Sequence, residues 1–131
     1  MTRVLALDYG SARCGCAISD PTGMLATPLE AVPDPGSAAG IDQIARIAAE
    51  RNAERVIVGL PVTLAGEEGV QAAETRAFAA RLAGRLAIPV ETWDERFTTS
   101  LARTTPGRSA EDSRAAAHLL HSYLEAHRAS T

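Results

Sequence analysis

The chain has 131 residues, about the length of one domain, and we expect a single domain over residues 1–131. Hydrophobic residues make up 46% and charged residues 22%, which is the balance of a globular protein. No apolar run approaches the roughly 20 residues of a membrane span, and Asp8 ends the first apolar run too early for a signal peptide. These properties exclude integral membrane proteins and large two-domain enzymes, and they predict a cytoplasmic protein with no membrane partner.

The net charge of −3 weakens functions that need a basic surface, such as tight non-specific binding of nucleic acid. It does not exclude a metal-dependent nuclease. Such an enzyme concentrates carboxylates in its site, and bound cations reverse the local charge.

The two cysteines, Cys14 and Cys16, are only two positions apart. A disulfide framework needs distant pairs, and a structural zinc site needs four ligands. We therefore interpret both as small hydrophobic residues of the core.

Three closely spaced strands open the chain, over residues 3–9, 14–19 and 24–32. The first has apolar residues on both faces, which is typical of a central strand that is covered on both sides. Turn-forming residues separate the three strands. They are therefore expected to form an antiparallel meander.

Helices and strands alternate in the rest of the chain. The periodicity predicts helices over residues 38–52, 70–86 and 109–127, a short helix near 98–103, and strands over 55–60 and 88–93. In the second helix we expect Ala73, Ala77, Phe78 and Leu82 to be buried. The order β-β-β-α-β-α-β-α predicts an α/β fold with a five-stranded mixed sheet flanked by helices. Ligands of such sheets bind beyond the carboxyl ends of the parallel strands.

Two carboxylates follow strands at that edge. Asp8 stands near the end of the first strand and Glu95 just past the end of the fifth. Each has a structural alternative: Asp8 could cap the turn that follows, and Glu95 could belong to the acidic first turn of the short helix. Taken singly, neither residue establishes a functional site.

A third carboxylate, Asp112, stands near the start of the last helix. It could belong to a capping box that begins at Ser109. The helical phase instead aligns it with the apolar stripe of Ala116, Leu119 and Tyr123, so we expect it to face the sheet. A carboxylate on a buried face needs a partner, and a divalent cation is a suitable one.

Together the three carboxylates are more specific than any one of them. They come from the first strand, the end of the fifth strand and the last helix, which can converge at one point. Oxygen ligands suit Mg²⁺ or Mn²⁺, and two such ions about 4 Å apart can activate water and stabilise the leaving oxygen in phosphodiester cleavage. The pattern predicts a nuclease with a metal site.

Four sequence blocks resemble those of the YqgF/RuvX family, in the family's order and over most of the chain. They are Leu7-Asp8-Tyr9-Gly10 with Arg13, Gly15 and Ile18-Ser19-Asp20-Pro21; Val58-Gly59-Leu60-Pro61 with Gly66 and Gly69; Asp94-Glu95-Arg96-Phe97-Thr98-Thr99; and Asp112-Ser113 with Ala115-Ala116 and Leu119-Leu120-His121-Ser122-Tyr123-Leu124.

The resemblance implies a single RNase H-like domain related to Holliday-junction resolvases. It also implies a nuclease that matures the 5′ end of pre-16S rRNA, with a divalent-metal site formed by the family's acidic residues. By position these are Asp8, Glu95 and Asp112, the carboxylates reached above. Residues 100–111 are shorter and less basic than the corresponding segment of the family usually is, which puts in doubt the affinity that this region supplies.

Four further residues are candidates for substrate contact. Arg13 and Arg96 flank the carboxylates in sequence and could hold phosphate oxygens, or each could form a surface ion pair. Thr98 and Thr99 could contact the substrate backbone, or they could cap the short helix.

Other functions remain open at this stage. A small-molecule kinase of the related two-domain folds is excluded, because the chain is too short to enclose a nucleotide. A Holliday-junction resolvase is an alternative within nucleases, and a non-catalytic nucleic-acid-binding module is an alternative outside them. Structured or single-stranded RNA and branched DNA are all possible substrates, and either a monomer or a homodimer fits the sequence.

Overall fold

The computed structural model describes residues 3–61, 68–95 and 109–129, and the side chains of the last segment from residue 113 to residue 127. Five strands and three helices form in these residues. In chain order they are β1 (Val4–Tyr9), β2 (Arg13–Ser19), β3 (Ala26–Pro33), α1 (Ala38–Glu50), β4 (Arg55–Leu60), α2 (Val70–Arg85), β5 (Val90–Asp94) and α3 (Ser109–Ala129). The short helix expected near residues 98–103 lies outside the described residues.

The strands form one mixed sheet with the order β3-β2-β1-β4-β5. The hairpin-linked pairs β1–β2 and β2–β3 are antiparallel, and the helix-linked pairs β1–β4 and β4–β5 are parallel. A short turn can only return the chain antiparallel, whereas a helical crossover brings it back in the same direction. The five-stranded mixed sheet predicted from the sequence is thereby confirmed.

The central strand β1 is buried on both faces, as its composition predicts. Leu5 and Leu7 pack in a core with residues of α1 and α2, and Val4 and Ala6 pack in a second core with residues of α3. Alternate side chains of a strand point to opposite faces, so the two sets meet different helices. Asp8 continues the series of Val4 and Ala6 and therefore lies on the face covered by α3.

The buried face of α2 differs from the expected one. Phe78 and Leu82 are buried as expected, but Ala73 and Ala77 are exposed, and the other buried positions are Ala72, Thr75 and Ala79. Alanines occur on all sides of this helix, so its hydrophobic pattern does not indicate clearly which face is buried. Its orientation follows from the two large side chains, because they remove the most apolar area from water.

The turn between β2 and β3 explains why β3 begins at Ala26 and not at residue 24. Asp20 Oδ1 accepts hydrogen bonds from the N–H groups of Met24 and Leu25, both at 2.9 Å. These N–H groups are therefore used by the turn and not by the sheet. Gly23 has a φ of 74°, a conformation that favours glycine.

None of the helices in the described segments combines the length and the hydropathy that crossing a bilayer requires.

Candidate metal centre

The carboxyl ends of the three parallel strands lie side by side at one edge of the sheet. In the parallel registers, Leu7 of β1 pairs with Val58 of β4, and Gly59 of β4 pairs with Trp93 of β5. Asp8, one residue past Leu7, therefore lies level with Gly59. The edge where ligands bind in sheets of this kind thus carries Asp8, and Glu95 follows directly after β5.

Asp8 is half-buried on the α3 side of the sheet, opposite Gly15 of β2. Gly15 contributes no side chain on that face of the sheet. The position combines an anchored backbone with access from solvent, and both properties suit a metal ligand.

Glu95 lies across the neighbouring strand. A Cβ atom added to Gly59 would be 3.1 Å from Glu95 Oε2, 3.2 Å from Glu95 Cγ and 3.0 Å from Leu119 Cδ2. Since Leu119 belongs to α3, this places the Glu95 side chain on the same face of the sheet as Asp8. The carboxylate of Glu95 therefore lies over β4, the strand that pairs with the strand of Asp8.

Asp112 lies in the first turn of α3, and its side chain is outside the described residues. The next residue, Ser113, is fully buried, and its Oγ accepts a hydrogen bond of 3.4 Å from the backbone N–H of Cys16 in β2. The start of α3 is thus held against the strand that pairs with β1 beside Asp8. The convergence of all three carboxylates remains a prediction.

The arrangement of Asp8 and Glu95 fits a divalent cation. Asp8 of β1 and Glu95, which follows β5 and reaches over the intervening β4, lie on one face of the sheet and supply the oxygen ligands that Mg²⁺ and Mn²⁺ prefer. Over residues 3–61, 68–95 and 113–127, no group of three His, Cys, Asp or Glu side chains is close enough to hold a metal ion. Asp112, whose side chain lies outside the described residues, is the candidate for a third ligand.

Of the four residues predicted to contact substrate, the structure describes one. Arg13 begins β2 at the same edge as the carboxylates and is exposed. Arg96, Thr98 and Thr99 lie outside the described residues, so their roles stay predictions.

The two cysteines lie in the core, as the sequence predicts. Cys14 and Cys16 are free thiols in the core, where Cys14 Sγ donates to Gly15 O at 3.5 Å and Cys16 Sγ donates to Cys14 O at 3.6 Å. The pKa of the Cys14 thiol is raised by its interaction with Cys16 and then by burial. The Trp93 ring packs edge-on against the Tyr123 ring, with ring centres 5.2 Å apart.

The role of Gly59 in accommodating Glu95 was not identified from the sequence. Gly59 lies within β4, where it leaves room for the Glu95 side chain. A glycine inside a buried strand often marks the close approach of another group, and this signal was available in the sequence. The role of Ser113 could not be inferred from sequence, because its partner Cys16 is 97 positions away.

Comparisons with known proteins agree with this architecture. The family model described as "RuvX: Holliday junction resolvase" matches residues 2–126. A protein of Chloroflexus aggregans named "Putative pre-16S rRNA nuclease" is 42% identical over 134 aligned positions, which span 95% of this chain and 94% of the relative. A protein of the same name from Streptomyces coelicolor is 41% identical over 98% of this chain and 83% of its own length.

One solved structure shows the fold. It is Thermus thermophilus RuvC in complex with a Holliday junction substrate, which superposes with a TM-score of 0.61 and covers 100% of this chain and 98% of the RuvC chain. The two sequences are 15% identical, so the likeness concerns the fold alone. The predicted α/β RNase H-like fold is confirmed.

Proposed function

Because the chain belongs to the RuvX family, we propose that it is a divalent-metal-dependent nuclease that processes the 5′ end of pre-16S rRNA. The observation that carries the proposal is the Glu95 carboxylate, which lies over Gly59 on the face of the sheet that Asp8 shares. The relatives named as pre-16S rRNA nucleases, which match over most of their length, support this choice of substrate. A ribosomal RNA substrate also agrees with the cytoplasmic location expected from the sequence.

Asp8, Glu95 and Asp112 are the residues that would hold the metal. When bound, two Mg²⁺ or Mn²⁺ ions supply activation of a water molecule and stabilisation of the leaving oxygen. Asp8 anchors the site, because its backbone is fixed in the sheet between β2 and β4. Glu95, directly after β5, would add a ligand through the gap that Gly59 leaves, and Asp112 would add one from α3.

The substrate contacts follow from charge. Arg13 is exposed beside the carboxylates and is suited to bind a phosphate oxygen of the scissile strand. Arg96, Thr98 and Thr99 follow Glu95 directly in the sequence, and we propose that they bind the substrate backbone. These contacts position the phosphate and carry no base specificity.

A second candidate is a Holliday-junction resolvase. The description of the matching family model favours it. A resolvase must cut two strands of a four-way junction symmetrically, so it would act as a homodimer with two sites. The rRNA substrate requires no second subunit, and oligomeric state therefore separates the two candidates.

The test is cleavage of two labelled substrates by the purified protein. One is an RNA that spans the immature 5′ end of 16S rRNA, and the other is a DNA four-way junction. Each is incubated with Mn²⁺, with Mg²⁺ or with a chelator. Asp8→Asn is compared with Asp42→Asn, which removes one charge from the exposed surface of α1, where Asp42 pairs with Arg85.

We expect metal-dependent cleavage of the RNA that is lost in Asp8→Asn and retained in Asp42→Asn. Symmetric nicking of the junction without RNA cleavage would favour the resolvase. If neither substrate is cut and Mn²⁺ does not bind, the chain is a non-catalytic nucleic-acid-binding module and the proposal is wrong.

A further inference from the structure

Ser113 is a buried polar residue of α3 that forms a hydrogen bond to the sheet. Its side chain is the first of α3 that the structure describes, and it is fully buried. Its Oγ accepts a hydrogen bond of 3.4 Å from the backbone N–H of Cys16. Over residues 113–127 the other buried side chains of α3 are Ala116, Leu119, Leu120, Tyr123 and Leu124. Ser113 is thus the polar exception in an otherwise apolar or aromatic contact face.

The partner of Ser113 lies at an irregularity of the sheet. The pairing of β2 with β3 shifts register between Cys14 and Cys16, as in a β-bulge. A bulge disrupts the ladder of hydrogen bonds locally, and a buried N–H there needs an acceptor from elsewhere. Ser113 provides that acceptor from α3.

The irregularity is also beside the candidate metal centre. Gly15, the residue between the two cysteines, pairs with Asp8 across the β1–β2 ladder. The Ser113 contact therefore joins the start of α3 to the part of β2 that is level with Asp8. Along the chain, Ser113 is the immediate neighbour of Asp112.

We propose that Ser113 is a positioning residue for the metal centre, an inference that rests on the proposed function. Its hydrogen bond to Cys16 fixes the first turn of α3 on β2 and so holds Asp112 at the edge that carries Asp8 and Glu95. The next buried residue along α3 is Ala116, whose methyl group restrains the helix end weakly. Without the Ser113 hydroxyl, the first turn of α3 is free to shift, and Asp112 shifts with it.

The same strand offers a matched control. Ser19, the last residue of β2, is also fully buried, and its Oγ accepts a hydrogen bond of 2.8 Å from the backbone N–H of Val4. Ser113→Ala and Ser19→Ala therefore remove the same kind of hydrogen bond, from a strand N–H to the oxygen of a buried serine hydroxyl. They differ in place: Ser113 contacts the middle of β2 next to the residue that pairs with Asp8, and Ser19 contacts the start of β1.

The experiment measures Mn²⁺ binding by calorimetry and stability by urea unfolding for the wild type, Ser113→Ala, Ser19→Ala and Asp8→Asn. Binding is measured at a temperature where each protein is folded. We expect Ser113→Ala to raise the dissociation constant for Mn²⁺ about 10-fold or more, as loss of a residue that supports a metal ligand does. Ser19→Ala is expected to change the constant less than about 2-fold while also lowering stability.

If Ser113→Ala does not fold, Ser113→Cys replaces it, since a thiol fills similar space and is a weak acceptor. The same loss of Mn²⁺ affinity is expected for it. Equal affinities in the Ser113 and Ser19 variants would overturn the positioning role while leaving the proposed function intact. Failure of the wild type to bind Mn²⁺, or binding that Asp8→Asn does not weaken, would overturn the proposed function and this inference with it.

Discussion

The Glu95 carboxylate occupies the space that a side chain at Gly59 would need. A Cβ atom at position 59 would be 3.1 Å from Glu95 Oε2, closer than nine in ten real Cβ contacts. Leu119 Cδ2 of α3 would be 3.0 Å from the same Cβ atom, so a side chain at position 59 would also meet the helix. The orientation of the carboxylate therefore depends on the absence of a side chain from the neighbouring strand.

Gly59→Ala is expected to displace the Glu95 carboxylate. Cleavage should fall about 100-fold, because a misplacement near 1 Å in a catalytic site has an effect of that size. Overpacking should lower the free energy of unfolding by about 1–3 kcal/mol, so the protein stays folded if the wild type has ordinary stability. Activity and urea unfolding measured on the same preparation check both effects.

The control for this change is Gly84→Ala on α2. A Cβ atom there meets no atom within 4 Å, and alanine is favoured over glycine inside a helix by about 0.5–1 kcal/mol. Gly84→Ala should therefore leave cleavage unchanged and raise stability slightly. Full activity in Gly59→Ala would contradict the position that we assign to Glu95 in the site.

Asp8, Glu95 and Asp112 are expected to act as one unit. Each of Asp8→Asn, Glu95→Gln and Asp112→Asn should lower the cleavage rate by about 10³-fold or more, and combining two of them should cost little further. The physical reason is that a metal site with one ligand missing no longer holds the ions in place, so a second loss has little left to remove. Rate constants for the single and double variants check this.

Losses that multiply in the double variants would show that the carboxylates act independently. In that case Asp112 would not share metal ions with Asp8. The predicted convergence of the three residues would then be wrong, even if each of them affects activity.

Asp20 should make stability depend on pH in acid. Hydrogen bonds from the Leu25 N–H, the Thr22 hydroxyl and the Met24 N–H lower the pKa of this exposed carboxyl from 3.8 to about 2. The folded state thus binds its proton more weakly than the unfolded state. The stabilisation is present above pH about 4 and is lost as the pH falls toward 2.

Asp20→Ala should therefore be less stable than the wild type at pH 7, and the difference should shrink between pH 4 and pH 2. Urea unfolding at a series of pH values checks it. Thr22→Val, which removes one donor to Asp20 Oδ2, should show a smaller effect of the same sign. A difference that is constant with pH would mean that the Asp20 charge does not stabilise the turn.

Cys14 and Cys16 should be unreactive in the folded protein. Both side chains are fully buried, and the raised pKa of the Cys14 thiol keeps its reactive thiolate form rare. A thiol reagent should modify neither cysteine in native buffer and both in concentrated urea. Fast labelling of the native protein would show that this part of the core opens readily.

The hydrophobic pattern was enough to predict the order of the strands and helices. β1 carries apolar residues on both faces, and α3 carries apolar residues at helical spacing. Each pattern involves only residues close in sequence, so it predicts the element without information on what packs against it. The bounds of β4 agree with the prediction to the residue. The pattern did not predict the buried face of α2, because alanines on every side give the helix no clear apolar face. The packing of Phe78 and Leu82 determines which face is buried.

The sequence by itself also determined which carboxylates are candidates, since Asp8 and Glu95 stand at strand ends and a parallel sheet brings such ends to one edge. Only the tertiary structure decided how they are held. The room beside Gly59 exists because β5 pairs with β4, and the Ser113 contact exists because α3 crosses β2 at the irregularity beside Gly15. Both depend on residues that are far apart in the chain, and no local pattern encodes the distance between them.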